Sequence, residues 1–238
     1  MDNSTPFNFA RDCRVTTGHK DTYINFTINR ESISENELKE QGYNVSNGKA
    51  SDTVSCDTAT YTFTNLPSTL EDIKSIPLDT KFAPMAACIC AIAAYEEKPG
   101  PNSMYDHPIY EMFDYINGPI LSINNVQRSG IYYSMKQTLS YGKYAYFDGA
   151  GPKNNYTPNT PYTFTMVESP YYIPAKASTI AFPNGTPERR MILIAFEGDD
   201  SQRYIDVYHS SDGNWYCWDS SWKHLVAGMK DPTAPTVW

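Results

Sequence analysis

The 238-residue chain has no run of five or more basic residues, and Asp plus Glu outnumber Lys plus Arg by 27 to 19, a net charge of −8. That balance argues against binding to a nucleic-acid backbone or to an anionic membrane surface. No long apolar run is present. The longest, Phe82–Tyr95, has 14 residues, where a bilayer span needs about 20; it predicts a buried helix. Met1–Ala10 has neither a basic n-region nor an apolar h-region and does not read as a signal peptide. The five cysteines, Cys13, Cys56, Cys88, Cys90 and Cys217, are odd in number and contain no C-x-x-C. The expectation is reduced thiols in a cytoplasmic protein, although a chain trimmed of its signal would read the same.

The motifs of bond-making chemistry are also scarce. No G-x-S-x-G occurs, and the two S-x-x-K matches, Ser140–Lys143 and Ser220–Lys223, stand without the K-T-G that a penicillin-recognising enzyme requires. His19, His107, His209 and His224 form no H-x-x-x-H pair. Gly149-Ala150-Gly151-Pro152 is followed by neither a third glycine nor a Lys-Ser/Thr pair, so it is no phosphate loop. Cys88 and Cys90, two apart on a predicted helix, face different directions and cannot chelate together. The sequence therefore predicts no catalytic set, no metal and no cofactor.

What the chain has is aromatic mass: 19 Tyr, 10 Phe and 4 Trp, enough to exclude disorder. Alternation marks strands at Asp21–Asn29, Thr60–Thr64, Tyr162–Val167 and Arg203–His209. The recurring YTFT at Tyr61–Thr64 and Tyr162–Thr165 needs only two strands built from common β-formers. Met191–Phe196 is a continuous apolar run short enough for a buried strand, and Ser211-Asp212-Gly213 signals a hairpin before Asn214–Trp218. Residues 190–218 are thus a three-stranded antiparallel meander.

Helices lie between these strands. Capping boxes start at Ser34 and Ser68. Met85, Cys88, Ile89 and Ile92 keep helical spacing among alanines, which predicts a central helix. Asp106 is the expected cap of the next helix, whose stripe is Ile109, Met112, Phe113 and Ile116, closed by Asn117-Gly118-Pro119. Ser122 is expected to open a fourth helix carrying Ile123, Val126, Ile131, Met135 and Leu139. The fold class is α+β, with three to four helices packed on an antiparallel sheet. Residues 1–20 show no period and read as loosely ordered. Residues 21–238 read as one domain, or alternatively as a mainly helical part, 21–143, and a β module, 144–238.

Tyr146–Thr163, YFDGAGPKNNYTPNTPYT, together with Asp200–Arg203 and Trp215–Trp218, resembles an uncharacterised family from clostridia-like, Gram-positive bacteria. That family shows a YF-GA-P-NNYTP--PYT segment, then a D--R-I strand and a G-W--W strand. The alanine-rich helix and Phe113–Pro119 are similar too, and the resemblance covers roughly residues 60–238. It implies no activity or catalytic residue. Gly151 stands where the family pattern has Thr or Ser.

The candidate binding residues follow from the aromatics. Trp215, Tyr216, Trp218 and Trp222 crowd into eight residues. On a strand Tyr216 and Trp218 share one face, and Trp215 and Cys217 the other. Tyr132-Tyr133 and Tyr171-Tyr172 add further rings. Such rings either cap the core or form a platform for a partner. Asn154, Asn155 and Tyr156, in a long polar loop, either orient a ligand or make turns of their own. Asp148, Asp200, Asp206 and Asp219 supply carboxylates, and Arg203, between Asp200 and Asp206, is expected to make a cross-turn ion pair. The first reading is a non-enzymatic protein- or peptide-recognition module using an aromatic β surface. The alternatives are a hydrolase of a glycan or related polymer with Asp148 or Asp200 as acid/base, and a carbohydrate-binding module.

Overall fold

The structure is a computed structural model that describes residues 8–17, 20–40, 55–96, 106–119, 125–169, 188–198, 202–218 and 221–233. Seven strands pair antiparallel in chain order to make one sheet. They are β1 (Asn8–Thr17), β2 (Lys20–Ser34), β3 (Ser55–Phe63), β4 (Tyr162–Glu168), β5 (Arg189–Ile194), β6 (Arg203–His209) and β7 (Trp215–Cys217). Helix α1 (Glu35–Glu40) joins β2 to β3. Helices α2 (Leu70–Lys74), α3 (Ala83–Ala93), α4 (Ile109–Asn117) and α5 (Asn125–Gly142) fill the connection from β3 to β4. The class is α+β, and β5–β6–β7 is the antiparallel meander that the alternation and the Asp-Gly turn predict. Residues 1–20, expected to be loosely ordered, contain β1, paired with β2 along its whole length.

The two YTFT segments lie side by side. Tyr61 pairs with Phe164 and Phe63 with Tyr162, so one face of β3 and β4 is aromatic. Tyr61, Phe63 and Phe164 are fully buried against the helices, with the Tyr61 and Phe164 rings stacked at 5.9 Å. On the opposite face the Thr60–Thr165 and Thr62–Thr163 hydroxyls meet at 2.8 and 3.1 Å. Antiparallel pairing of two copies of one alternating pattern matches ring with ring and hydroxyl with hydroxyl. That far face also carries a small apolar cluster of Cys56, Val167 and Leu193.

Every residue of α3 is buried. Its alanines and cysteines let neighbouring backbones approach, so a helix with no polar face can run through the middle of the molecule. Helix α4 buries its predicted stripe, Ile109, Met112, Phe113 and Ile116.

Two helix starts differ from expectation. The capping box of α2 is Thr69 with Asp72, one residue later than the Ser68–Glu71 reading, because the Asp72 carboxylate accepts from the backbone N–H of both Ser68 and Thr69 at 3.0 Å. Helix α4 has Pro108, not Asp106, at its N-cap, and the Ile109 N–H donates to His107 Nδ1 at 3.2 Å. Helix α5 is described from Asn125 onward; the expected start at Ser122, with Ile123, lies outside the described residues, as do the side chains of Val126 and Ile131. Met135 and Leu139 of the predicted α5 stripe are buried.

β7 is only three residues long, and its outer side is closed by a hydrogen bond from Trp215 N–H to the Leu78 carbonyl at 2.7 Å. Among the described residues no helix is long and apolar enough to cross a membrane.

Candidate functional site

The aromatic crowd around β7 belongs to the core. Trp222, on the 3₁₀ helix Ser221–Val226, has no exposed surface and stacks on Phe113 of α4, rings 3.8 Å apart and within 3° of parallel. Tyr216 and Trp218 share a face, as strand alternation predicts: each ring lies 5.7 Å from that of Tyr208. That face is covered, however, with Tyr216 and Trp218 only 8% and 7% exposed. The Arg189 guanidinium sits 4.1 Å over the Trp218 ring and pairs with Asp206 at 3.4 Å. The end of α4 covers the rest: Tyr208 Oη donates to the Asn117 carbonyl at 3.0 Å. Burial and the hydrogen bond to Asp212 push the Tyr216 phenol up to about 12. Only Trp215 is half-exposed, stacked on His209 at 4.9 Å. The expected aromatic surface is corrected to a core layer, because α4 and Arg189 cover what would have been its free face. Tyr133 is exposed on α5, whereas the side chain of Tyr132 and all of Tyr171 and Tyr172 lie outside the described residues.

The polar loop between α5 and β4 braces itself. Asn154 Oδ1 accepts from the N–H of Gly151 and of Thr157 at 3.0 and 3.2 Å, and its Nδ2 donates to the carbonyls of Gly149 and Thr157 at 2.7 and 3.0 Å. The amide's donors and acceptors are all used inside the loop, so Asn154 shapes the loop and has nothing left for a ligand. Asn155 and Tyr156 both have φ of 53°, and the Tyr156 ring is buried, with its hydroxyl donating to the Lys230 carbonyl at 2.7 Å. Only the exposed Asn155 side chain points to solvent with no partner among the described residues. At Gly151 a Cβ would meet the end of the Glu197 side chain. Asn154→Ala should therefore cost about 2 kcal/mol, several hydrogen bonds at about 1 kcal/mol each less what water recovers, while Asn155→Gly leaves stability within about 0.5 kcal/mol. Urea unfolding checks both, and equal losses would restore a shared role for the two amides.

The charged candidates are likewise dispersed. Arg203 donates to the carbonyls of Ala227 and Gly228 at 2.8 and 3.2 Å and pins the end of the 3₁₀ helix. Of its expected partners across the turn, Asp206 pairs with Arg189, and Asp200 lies outside the described residues, as does Asp219. Asp148 is exposed at the surface, and partial burial raises its carboxyl above the usual range, the direction a general acid needs. One raised acid is not a pair. Among the described residues no three His, Cys, Asp or Glu side chains come together as metal ligands.

The sequence did not single out a sizeable cleft among the described residues. About 700 Å³ opens between the start of α2, the end of α3 and the start of α4. Leu66, Pro67, Ala93, Ala94, Ile109 and Met112 give it apolar walls. Glu96, His107, Lys143 and Ser68 bring polar atoms, and Tyr144 and Tyr162 complete the lining.

Two of those polar groups are fixed by the backbone. His107 Nδ1 accepts from Ile109, which places the ring proton on Nε2, 2.7 Å from the Glu96 carbonyl. Both ring nitrogens are thereby committed, and the ring stacks on Tyr95 at 4.9 Å. Lys143 Nζ donates to the Tyr95 carbonyl at 3.1 Å and lies 5.2 Å from the centre of the Tyr144 ring. One of its three donors is used there.

The model of a domain of unknown function, DUF6935, matches residues 65–233, more than half of the chain. The chain belongs to the DUF6935 family. The cleft, the braced loop and the buried aromatic layer all fall inside the DUF6935 match, while β1, β2 and β3 precede it. No curated protein and no solved structure matches the chain.

Proposed function

We propose that this DUF6935 protein is a non-enzymatic recognition module that seats a short peptide segment in the cleft between α2, α3 and α4. The observation that carries this reading is the combination of room and chemistry in that cleft. Its volume of about 700 Å³ falls among those of ligand pockets, about 300–1,000 Å³. Apolar walls suit one or two side chains of the occupant, and Lys143 still has donors for an acceptor such as a peptide carbonyl or carboxylate.

The same geometry favours binding over catalysis. A general base needs a free lone pair within reach of its substrate, and the His107 lone pair is occupied by Ile109 N–H. An aromatic platform does not support the reading; the cleft takes its place.

A peptide library displayed on phage tests it. Ser68 is exposed on the rim of the cleft, so Ser68→Arg fills the opening without entering the core and should change stability by less than about 1 kcal/mol. Selected peptides should bind the parent protein and lose about tenfold or more in affinity to Ser68→Arg, an energy of about 1.4 kcal/mol. Enrichment of no peptide, or equal binding by both proteins, would remove the cleft as the recognition site.

A further inference from the structure

We propose that the occupant of the cleft is the free carboxyl end of a peptide whose last side chain is apolar, with Lys143 pairing the terminal carboxylate. The proposal rests on the peptide-recognition reading of that cleft and narrows it to one kind of segment. Its first support is a charge without a counter-charge. Lys143, just past the end of α5, is half-buried in the cleft lining. Its one hydrogen bond goes to a neutral group, the Tyr95 carbonyl at 3.1 Å, and its other contact is the Tyr144 ring, 5.2 Å away at the centre. Among the described residues no carboxylate lies within ion-pair distance of it. The carbonyl end of α3 offers only about half a unit of negative charge, so the ammonium is not neutralised there. Two of its N–H groups remain. A carboxylate is the acceptor that gains most from them, because a charge-assisted hydrogen bond is about twice as strong as a neutral one.

The second support is how little else in the cleft remains to bind a peptide backbone. His107 spends both ring nitrogens on the Ile109 N–H and the Glu96 carbonyl, and the Ser68 hydroxyl donates to Asp72 at 3.3 Å. A segment running through the cleft would bring several peptide groups past side chains already committed to the fold, and each group left unpaired costs free energy. A chain end brings the fewest. It also carries its carboxylate and its last side chain on one Cα, so a single residue meets both Lys143 and the apolar wall of Ala93, Ala94, Ile109 and Met112. An internal Asp or Glu meets Lys143 but leaves that wall to a neighbouring residue. Glu96 also lines the cleft; it is exposed, and its charge disfavours a second acidic group beside the end.

The test uses the full-length protein and a phage library fused through its N-terminus, so that every member presents a free carboxyl end. Selected peptides are made as free acids and as C-terminal amides. Fluorescence anisotropy then follows their binding to the parent, Ser68→Arg, Lys143→Met and Lys143→Arg proteins. The parent should bind the acids about tenfold or more tightly than the amides. Lys143→Met should bind the two forms within about twofold of each other, and Lys143→Arg, which keeps the charge, should retain the preference. Should Lys143→Met fail to fold, the acid–amide comparison on the parent still decides. Equal binding of acid and amide by the parent, with Ser68→Arg still weakening both, would overturn this proposal and leave the peptide cleft standing. A preference that survives in Lys143→Met would overturn it too. So would an N-acetylated amino acid that binds as tightly as the peptide ending in that residue, since the occupant would then be a small free acid. Failure to select any peptide, or equal binding by the parent and Ser68→Arg, would remove the cleft itself and this proposal with it.

Discussion

Trp222→Ala should lower the unfolding free energy by about 4 kcal/mol, the usual cost of removing a large, fully buried aromatic ring. Trp215→Ala should cost about 1 kcal/mol, because that ring is only partly buried at the rim of the core. The contrast follows from their neighbours. Trp222 has no exposed surface and lies face to face with Phe113 at 3.8 Å, so its loss leaves a cavity between α4 and the 3₁₀ helix. Trp215 stacks on His209 at the rim of the core and keeps part of its surface in solvent. Phe113→Ala should be non-additive with Trp222→Ala, the pair losing less than the sum, since either change alone already destroys the stack. Trp222→Phe should recover most of the loss: the indole Nε1 is buried without a hydrogen-bond partner among the described residues, and phenylalanine removes that unpaired donor. Urea unfolding of the four single variants and the double variant measures all of this. Equal losses at Trp222 and Trp215 would mean that the tryptophans share one environment, as the expected aromatic surface would have it.

The elements of this fold are written locally, and that is why the sequence shows them. Period-two alternation over Tyr162–Val167 and Arg203–His209, the apolar run of β5 and the Asp-Gly turn are each contained within a few residues, and the structure forms a strand or a turn at each. The stripe Ile109–Met112–Phe113–Ile116 is equally local, and all four residues are buried. What covers a strand is not local. Alternation told correctly that Tyr216 and Trp218 share a side, but whether that side meets water depends on Asn117, more than ninety residues earlier, and on Arg189 of another strand. The cleft is still less visible in one dimension. Its walls come from residues 66–68, 93–96, 107–112, 143–144 and 162, five short stretches with no shared pattern. A histidine beside a proline at a helix start, His107-Pro108, is its one local signal. Asn154 shows the converse case: an Asn-rich loop is the same string whether its amides face a ligand or each other, and only hydrogen-bond geometry separates the two.

Gly118→Ala should cost about 3 kcal/mol, from two independent sources. Gly118 ends α4 with φ 76° and ψ −172°, a region open to almost no residue but glycine, and occupying it with a side chain costs about 1–3 kcal/mol. The second source is space. A Cβ at this position would stand 2.5 Å from Tyr216 Cγ and 2.6 Å from Cδ1, against a ring that cannot swing clear because Tyr208 lies beside it and its hydroxyl is held by Asp212 at 2.7 Å. Overpacking of that kind adds about 1–3 kcal/mol. Tyr216→Leu separates the two sources: with the ring gone, Gly118→Ala should keep its backbone strain and shed its clash, so the double variant loses less than the two singles combined. Denaturant unfolding of the three proteins provides the cycle. If Gly118→Ala instead unfolds at the parent's midpoint, α4 does not end against β7 as described, and the covering of Tyr216, on which the burial of the whole aromatic layer turns, loses its support.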